Sequence, residues 1–172
     1  QPFVRLKDLD DAAIDRVFAV NWSGTLYLTR TFLPLFLDRP EGHIVNVSSI
    51  EGSRAAPLFA VYGACKAAML SFTRTMAVEL GEHGIKVNGI NPDGVVRGSG
   101  IFAAGWGANR AKTYGIDEQD LGKFYAQRTI LKREVLPENV ANAVSVLTGR
   151  DLSHTTGLHI PVDSGVAAAF LR

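Results

Sequence analysis

A single cysteine, Cys65, stands among 172 residues, so neither an intramolecular disulfide nor a cysteine-built zinc cluster can form. The histidines are few and scattered. His43, His83, His154 and His159 show no His-x-x-His or His-x-x-x-His spacing, and no metal site is expected from them. An excess of one charge is missing too. Lys and Arg number 18 against 17 Asp and Glu, a formal charge of +1, which argues against a nucleic-acid or anionic-membrane surface. No uninterrupted apolar run approaches the ~18 residues of a membrane span. The opening Gln1-Pro2-Phe3-Val4-Arg5 lacks the pattern of a signal peptide and carries no Met, as if the chain began in mid-element. A cytoplasmic protein, or a piece of one, is the expectation. What is present suits one soluble domain: 47% apolar residues, 20% charged, 17 Gly and 7 Pro. Such a chain buries roughly 70% of its unfolded surface and can hold a core without staples.

Apolar periodicity sets the element order. Asp10 and Asp11 cap a helix with Ile14, Val17, Phe18 and Val20 at helical spacing, and the pattern resumes through Leu26, Leu28, Phe32, Leu33 and Leu37. Asn21, Ser23, Gly24 and Thr25 interrupt it with poor helix formers, a polar break that calls for a reason. After the turn signal Pro40-Glu41-Gly42, the β-branched run from His43 to Ser49 reads as a buried strand. An Ala-rich helix runs from about Leu58 to Leu80 and stops at Gly81 and Gly84. Ile85 to Ile90 gives a second strand, closed by Asn91-Pro92-Asp93-Gly94. Residues 95–133 are irregular and Gly-rich at first, then weakly helical from about Glu118 to Arg128. Pro137-Glu138 starts a helix, and Leu158 to Val162 forms the last strand before Asp163-Ser164-Gly165. Strands alternating with helices predict an α/β fold with a parallel sheet and right-handed crossovers. Three strands are few for a doubly wound sheet, so half of such a fold is expected. No internal repeat or second domain appears.

Tyr62-Gly63-Ala64-Cys65-Lys66 carries the strongest chemical signal. Positions i and i+4 share a helix face, about 6 Å apart along the axis. An ammonium that close lowers a phenol pKa from about 10 by roughly 1–3 units, toward general acid–base service. Alone, the pair is common on helices and reads as an exposed surface contact. Its setting sharpens it: thirteen residues upstream Ser49 closes a strand, where parallel sheets meet their ligands. Ser48 points to the other face by strand alternation.

Asn46-Val47-Ser48-Ser49, Tyr62-x-x-x-Lys66, Val87-Asn88-x-Ile90-Asn91-Pro92, Thr156-Gly157 and Val162-Asp163-x-Gly165 together resemble the short-chain dehydrogenase/reductases over nearly the whole chain. The resemblance implies a Rossmann-like doubly wound parallel sheet, with residues 1–172 as the C-terminal catalytic part of one domain. It implies a catalytic set of Asn21, Ser49, Tyr62 and Lys66. Tyr62 exchanges the proton, Ser49 holds the substrate oxygen, and Asn21 holds a water of the proton relay. Lys66 lowers the Tyr62 pKa and binds cofactor ribose. Tyr62, Lys66, Pro92 and Val95 are the implied contacts to NAD or NADP, with NAD favoured. The family's glycine-rich phosphate loop, and the residue that separates NAD from NADP, belong to sheet preceding residue 1. The family's Pro-Gly after the penultimate strand is Pro92-Asp93-Gly94 here. Its following Thr is Arg97 by direct count, with Ser99 two further on.

Asn91 to Ser99, the Trp106 insert, Tyr114-Gly115-Ile116 and the tail Ala167 to Phe170 are similar to one branch, the dehydrogenase half of bifunctional rhamnulose-1-phosphate aldolase/short-chain dehydrogenases. That branch implies oxidation of lactaldehyde from rhamnose breakdown and fusion to an aldolase domain; the wider family resemblance implies homodimers or homotetramers, and the balanced charge leaves no membrane or nucleic-acid partner expected. The alternative is a folded, non-catalytic piece that self-associates and cannot hold cofactor. Cys65 reads as a small buried helix residue rather than a nucleophile, and Asp163 as a structural strand end. Seven Lys and Arg against three Asp and Glu over residues 97–133 fit a solvated loop face or an anion site over the substrate. Phe102 and Trp106 line the substrate pocket or pack the insert.

Overall fold

The computed structural model describes residues 2–100 and 102–170. Helix α1 (Asp11–Phe18) starts as its sequence dictates, with the Asp10 carboxylate accepting the Ala13 N–H at 2.6 Å. The polar break has a backbone cause. Ala19–Ser23 forms one π-helical turn, after which α2 (Gly24–Leu37) continues.

Three strands, β1 (Gly42–Val47), β2 (Ile85–Pro92) and β3 (His159–Val162), pair in that order and all in parallel. Ile44 lies opposite Val87, and Ile90 opposite Ile160. The expected α/β architecture is therefore present, although β1 stops at Val47, two residues short of Ser49. Helix α3 (Ala60–Leu80) covers β2 through Ala77 and Leu80 on Ile85 and Val87, joined by Leu33 and Phe36 of α2. A second cluster buries Val17, Val61 and Cys65 between α1 and α3. The Cys65 thiol is fully buried, 4.0 Å from the Val17 carbonyl, and burial pushes its pKa up. It packs; it is not an activated nucleophile.

Buried polar groups fasten the strands. The Asn88 amide donates to the Thr155 carbonyl at 2.9 Å, and its oxygen accepts the Leu158 N–H at 3.0 Å. Thr156 Oγ1 accepts the Val87 N–H at 3.0 Å. Asp163, buried at the end of β3, accepts the N–H groups of Gly165 and Val166, as a structural strand end should.

Residues 95–133 hold more helix than the sequence pattern suggests. A π turn (Phe102–Trp106) leads into α4 (Gly107–Tyr114), and a 3₁₀ turn (Glu118–Asp120) leads into α5 (Leu121–Gln127). Helix α4 shows little apolar periodicity because aromatic contacts hold it instead: Tyr114 stacks on Phe124 at 4.5 Å. Gly115, at φ 69°, ends it in the left-handed conformation. Helix α6 (Pro137–Thr148) begins at the expected proline and packs across all three strands.

His159 fills the space beside Gly89, where a Cβ would come within 2.1 Å of the imidazole. Its Nδ1 lies 3.0 Å from Asn91 Oδ1, and burial holds its pKa down at about 4, from an ordinary 6.5. Lowered folded pKa means the unfolded chain binds the proton first as pH falls. Stability from a neutral His159 is complete above about pH 6.5 and drains away toward about pH 4. Urea midpoints measured across that window should fall, and His159→Leu should flatten the part of the slope that the imidazole supplies.

Candidate active site

Ser49 follows β1 and caps the 3₁₀ turn Ile50–Gly52, its Oγ accepting the Glu51 N–H at 3.2 Å. That turn lies directly on α3. A Cβ at Gly52 would come 2.8 Å from the Lys66 carbonyl, and one at Gly63 would come 3.1 Å from the Glu51 carbonyl. Glycine at both positions is what lets the two backbones touch. Ser48 also borders the cavity, but its hydroxyl is spent on the Lys66 carbonyl, to which it donates at 2.9 Å.

The approach brings the Ser49 hydroxyl into hydrogen bond with the Tyr62 phenol. Lys66, buried on the same helix face, donates from Nζ to the Val47 carbonyl at 3.0 Å and sits 5.5 Å from the Tyr62 ring centroid. Burial lowers the Lys66 pKa. It raises that of Tyr62, which the Ser49 hydrogen bond opposes; Glu51 adds to the rise and the Arg110 charge counters it. The expected depression of the Tyr62 pKa by Lys66 is thus not what the geometry delivers, because burial outweighs the Ser49 hydrogen bond and the Arg110 charge. Asn21 sits in the π turn, where its amide donates to the Val17 carbonyl at 3.0 Å.

Asn21, Ser49, Tyr62 and Lys66 all border one cavity of about 590 Å³, and Pro92 and Val95 border it as well. Every expected site residue is therefore brought together. Ser99 also lines the cavity, whereas Arg97 lies outside it, 70% exposed and paired with Glu134. Phe102 and Trp106 face the cavity from the insert, and Phe59 and Arg110 join them. The sequence pattern did not single out these last two. Arg110 counted only within the basic stretch, and its helix lacks a periodic signal.

Asp93, in place of the family's glycine, has a partner that explains it. Its carboxylate, 4% exposed, pairs with Arg128 at the end of α5. Arg128 in turn lies 4.0 Å over the Tyr125 ring, and Tyr125 packs against Gly94. Glu51 is likewise held by both ends of the Arg54 guanidinium. Among the described residues no cluster of His, Cys, Asp and Glu could hold a metal ion, and no helix is long and apolar enough to cross a membrane.

Residues 2–167 match the family described as enoyl-(acyl carrier protein) reductase. The 2-(S)-hydroxypropyl-CoM dehydrogenase 3 of Xanthobacter autotrophicus is 32% identical over 166 residues, which are 96% of this chain and 62% of that protein. The uncharacterized oxidoreductase YuxG of Bacillus subtilis is 38% identical over 131 residues, 76% of this chain and 19% of that protein. Among solved structures, carveol dehydrogenase from Mycobacterium avium in complex with NAD superposes with a TM-score of 0.86 at 25% identity, covering 96% of this chain and 61% of that one. This chain thus spans about three fifths of two of these relatives.

The Ser49 hydrogen bond works against burial at Tyr62, so its removal has a signed consequence. In Ser49→Ala the phenol should ionise at higher pH than in the parent chain. Ultraviolet difference titration of tyrosinate, with Tyr62→Phe identifying the signal, measures this; an unchanged midpoint would break the proposed coupling.

Proposed function

The chain belongs to the short-chain dehydrogenase/reductase family, and we propose that it is the catalytic C-terminal part of one oxidoreductase domain. The reaction is hydride transfer between a nicotinamide cofactor and an alcohol, carbonyl or hydrated aldehyde. The observation that carries this reading is the meeting of Asn21, Ser49, Tyr62 and Lys66 around one cavity.

In the oxidative direction the Tyr62 phenolate takes the substrate hydroxyl proton while Ser49 donates a hydrogen bond to the same oxygen. The nicotinamide, when bound, supplies the hydride-accepting carbon. Lys66 spends one N–H on Val47 and keeps two for the ribose hydroxyls, which fits such a cofactor. Pro92 and Val95 border the cavity where the carboxamide end would lie. Asn21, with its amide nitrogen anchored to Val17, offers its side-chain oxygen to a relay water. NAD is favoured over NADP.

The outer edge of β1 is unpaired among the described residues, and a cavity of about 300 Å³ runs along it past Val45, Asn46 and Leu28. Val47 is half exposed, and α2 exposes Tyr27, Leu28, Phe32 and Leu35. These features support a reading in which further strands, with the phosphate-binding glycine loop, pair with β1. A homodimer or homotetramer through the long helices and the last strand belongs to the same reading.

The finer substrate reading is lactaldehyde, in a cytoplasmic protein fused to an aldolase domain. Branch resemblance supports it, as does the great length of the Bacillus subtilis relative, of which the match covers 19%. A hydrated aldehyde is chemically an alcohol, so Tyr62 and Ser49 can act on one diol oxygen and release the carboxylic acid without a thiol adduct. Buried Cys65 agrees with that route.

Tyr62→Phe in the longer protein this reading calls for should lower turnover at least ~10²-fold with cofactor affinity little changed. Lys66→Ala should damage both. Burial places the Tyr62 phenol above its ordinary range, so the phenolate fraction, and with it oxidative turnover, should climb as pH rises through the alkaline range. Lactaldehyde supplied with NAD or NADP should yield lactate and reduced cofactor; turnover of sugar alcohols with lactaldehyde untouched would keep the dehydrogenase and remove the aldehyde. The 172-residue chain alone, lacking a phosphate loop, should bind NAD at millimolar strength or weaker by calorimetry. Micromolar binding would overturn the division of the domain.

A further inference from the structure

Arg110 occupies an unusual position for a cation. Its guanidinium carbon lies 5.1 Å from the ring centroid of Phe3, 5.0 Å from Phe59 and 5.3 Å from Phe102. One Nη donates to the Tyr125 hydroxyl at 2.7 Å, and the Nε–H is buried with no partner among the described residues. A guanidinium has five N–H donors, and a buried one left without a partner is costly. Arg110 nevertheless borders the same cavity as Ser49 and Tyr62. Phe59 stands between it and the phenol, its ring 6.0 Å from that of Tyr62.

The two carboxylates that line this cavity are already taken. Glu51 is gripped by Arg54, and Asp93 by Arg128. Lys66 is committed to the Val47 carbonyl and, in the dehydrogenase reading, to ribose. No carboxylate pairs with Arg110 among the described residues. The cavity therefore presents a caged, uncompensated cation one ring away from the proton-transfer group.

Resting on the dehydrogenase reading of this site, but not on the choice of lactaldehyde, we propose that Arg110 is a specificity-determining residue that binds an oxyanion of the substrate. The site then takes short hydroxy or oxo compounds that carry a carboxylate or phosphate a few bonds from the reacting carbon. Arginine suits this task because its planar fork meets either group through two parallel N–H bonds. The three rings flank the guanidinium and hold the fork in place. A neutral compound such as lactaldehyde lacks the group that Arg110 reads and is the weaker-bound member of the class.

Trp106 borders the cavity, whereas Trp22 packs on Phe72 away from it. Their indole N–H signals in the ¹⁵N-labelled chain give a binding readout that needs neither cofactor nor turnover. Titration with 3-hydroxybutyrate and glycerol 3-phosphate, against neutral butane-1,3-diol, should shift Trp106 and spare Trp22. At least one oxyanion should bind about tenfold or more tightly than the diol, and the tighter one names the group. Arg110→Gln should abolish the difference. Equal binding of acid and diol by the parent chain overturns the proposal whether or not the variant folds, and so does an acid preference that survives Arg110→Gln. In the active longer protein, Arg110→Gln should raise KM for the acid substrate with kcat largely kept. A failed Tyr62→Phe test would remove the dehydrogenase reading and leave this binding result standing, so the two can fail separately.

Discussion

The contact between the Ile50–Gly52 turn and helix α3 is the constraint on which the site depends. Two backbones meet there with no side chain between them, since a Cβ at Gly52 would press on the Lys66 carbonyl at 2.8 Å. The contact is stitched from both sides. Ser48 donates to the Lys66 carbonyl, and the Lys66 ammonium returns to the Val47 carbonyl. One lysine thereby fastens the end of β1 to α3 through its main chain and its side chain at once. Displacing this turn by an ångström would separate Ser49 from Tyr62, and a hydroxyl–phenol hydrogen bond does not survive such a displacement.

Electrostatics in the cavity derive from that seating. Tyr62 is largely withdrawn from water, which favours the neutral phenol, and Ser49 and Arg110 pull the other way. Glu51 would favour the phenol further were its charge not shared with Arg54. The site thus keeps its two acids on leashes and leaves Arg110 without a carboxylate among the described residues. A developing negative charge, on a phenolate or a substrate oxygen, finds opposite charge without having to reorganise it.

The sequence made the alternation of strands and helices legible because periodicity is local, and Pro137, Asp10 and Gly84 mark ends by their own backbone chemistry. Tyr62 and Lys66 were legible because a helix fixes i and i+4. What local pattern cannot carry is a partner chosen from far along the chain. Asp93 looks like a departure until Arg128, 35 positions away, is seen beside it. The Arg110 cage draws on Phe3, Phe59 and Phe102, three segments with no shared periodicity. Lys66 illustrates the same limit from the other side. Its spacing from Tyr62 is right, yet the Val47 carbonyl, a tertiary neighbour, decides where the ammonium goes.

Irregular backbone gathers around the cavity. The π turn Ala19–Ser23 presents Asn21, the π turn Phe102–Trp106 presents its two terminal rings, and Leu58, at φ 71°, precedes Phe59. Each costs free energy relative to regular structure, on the order of 1–3 kcal/mol for a non-glycine residue held in the left-handed region. Helix α3 and β2 carry the largest buried clusters and contain no such irregularity. The division has a geometric origin. An α-helix advances about 100° per residue, so a side chain on the core-facing stripe cannot also turn toward a cavity at the sheet's end. A π turn inserts one residue and rotates the helix beyond it. It lets α1 keep Val17 and α2 keep Leu33 and Phe36 against the core while Asn21 between them does not. The polar break is therefore the consequence of one helix serving two surfaces, the core along its length and the cavity at a single turn.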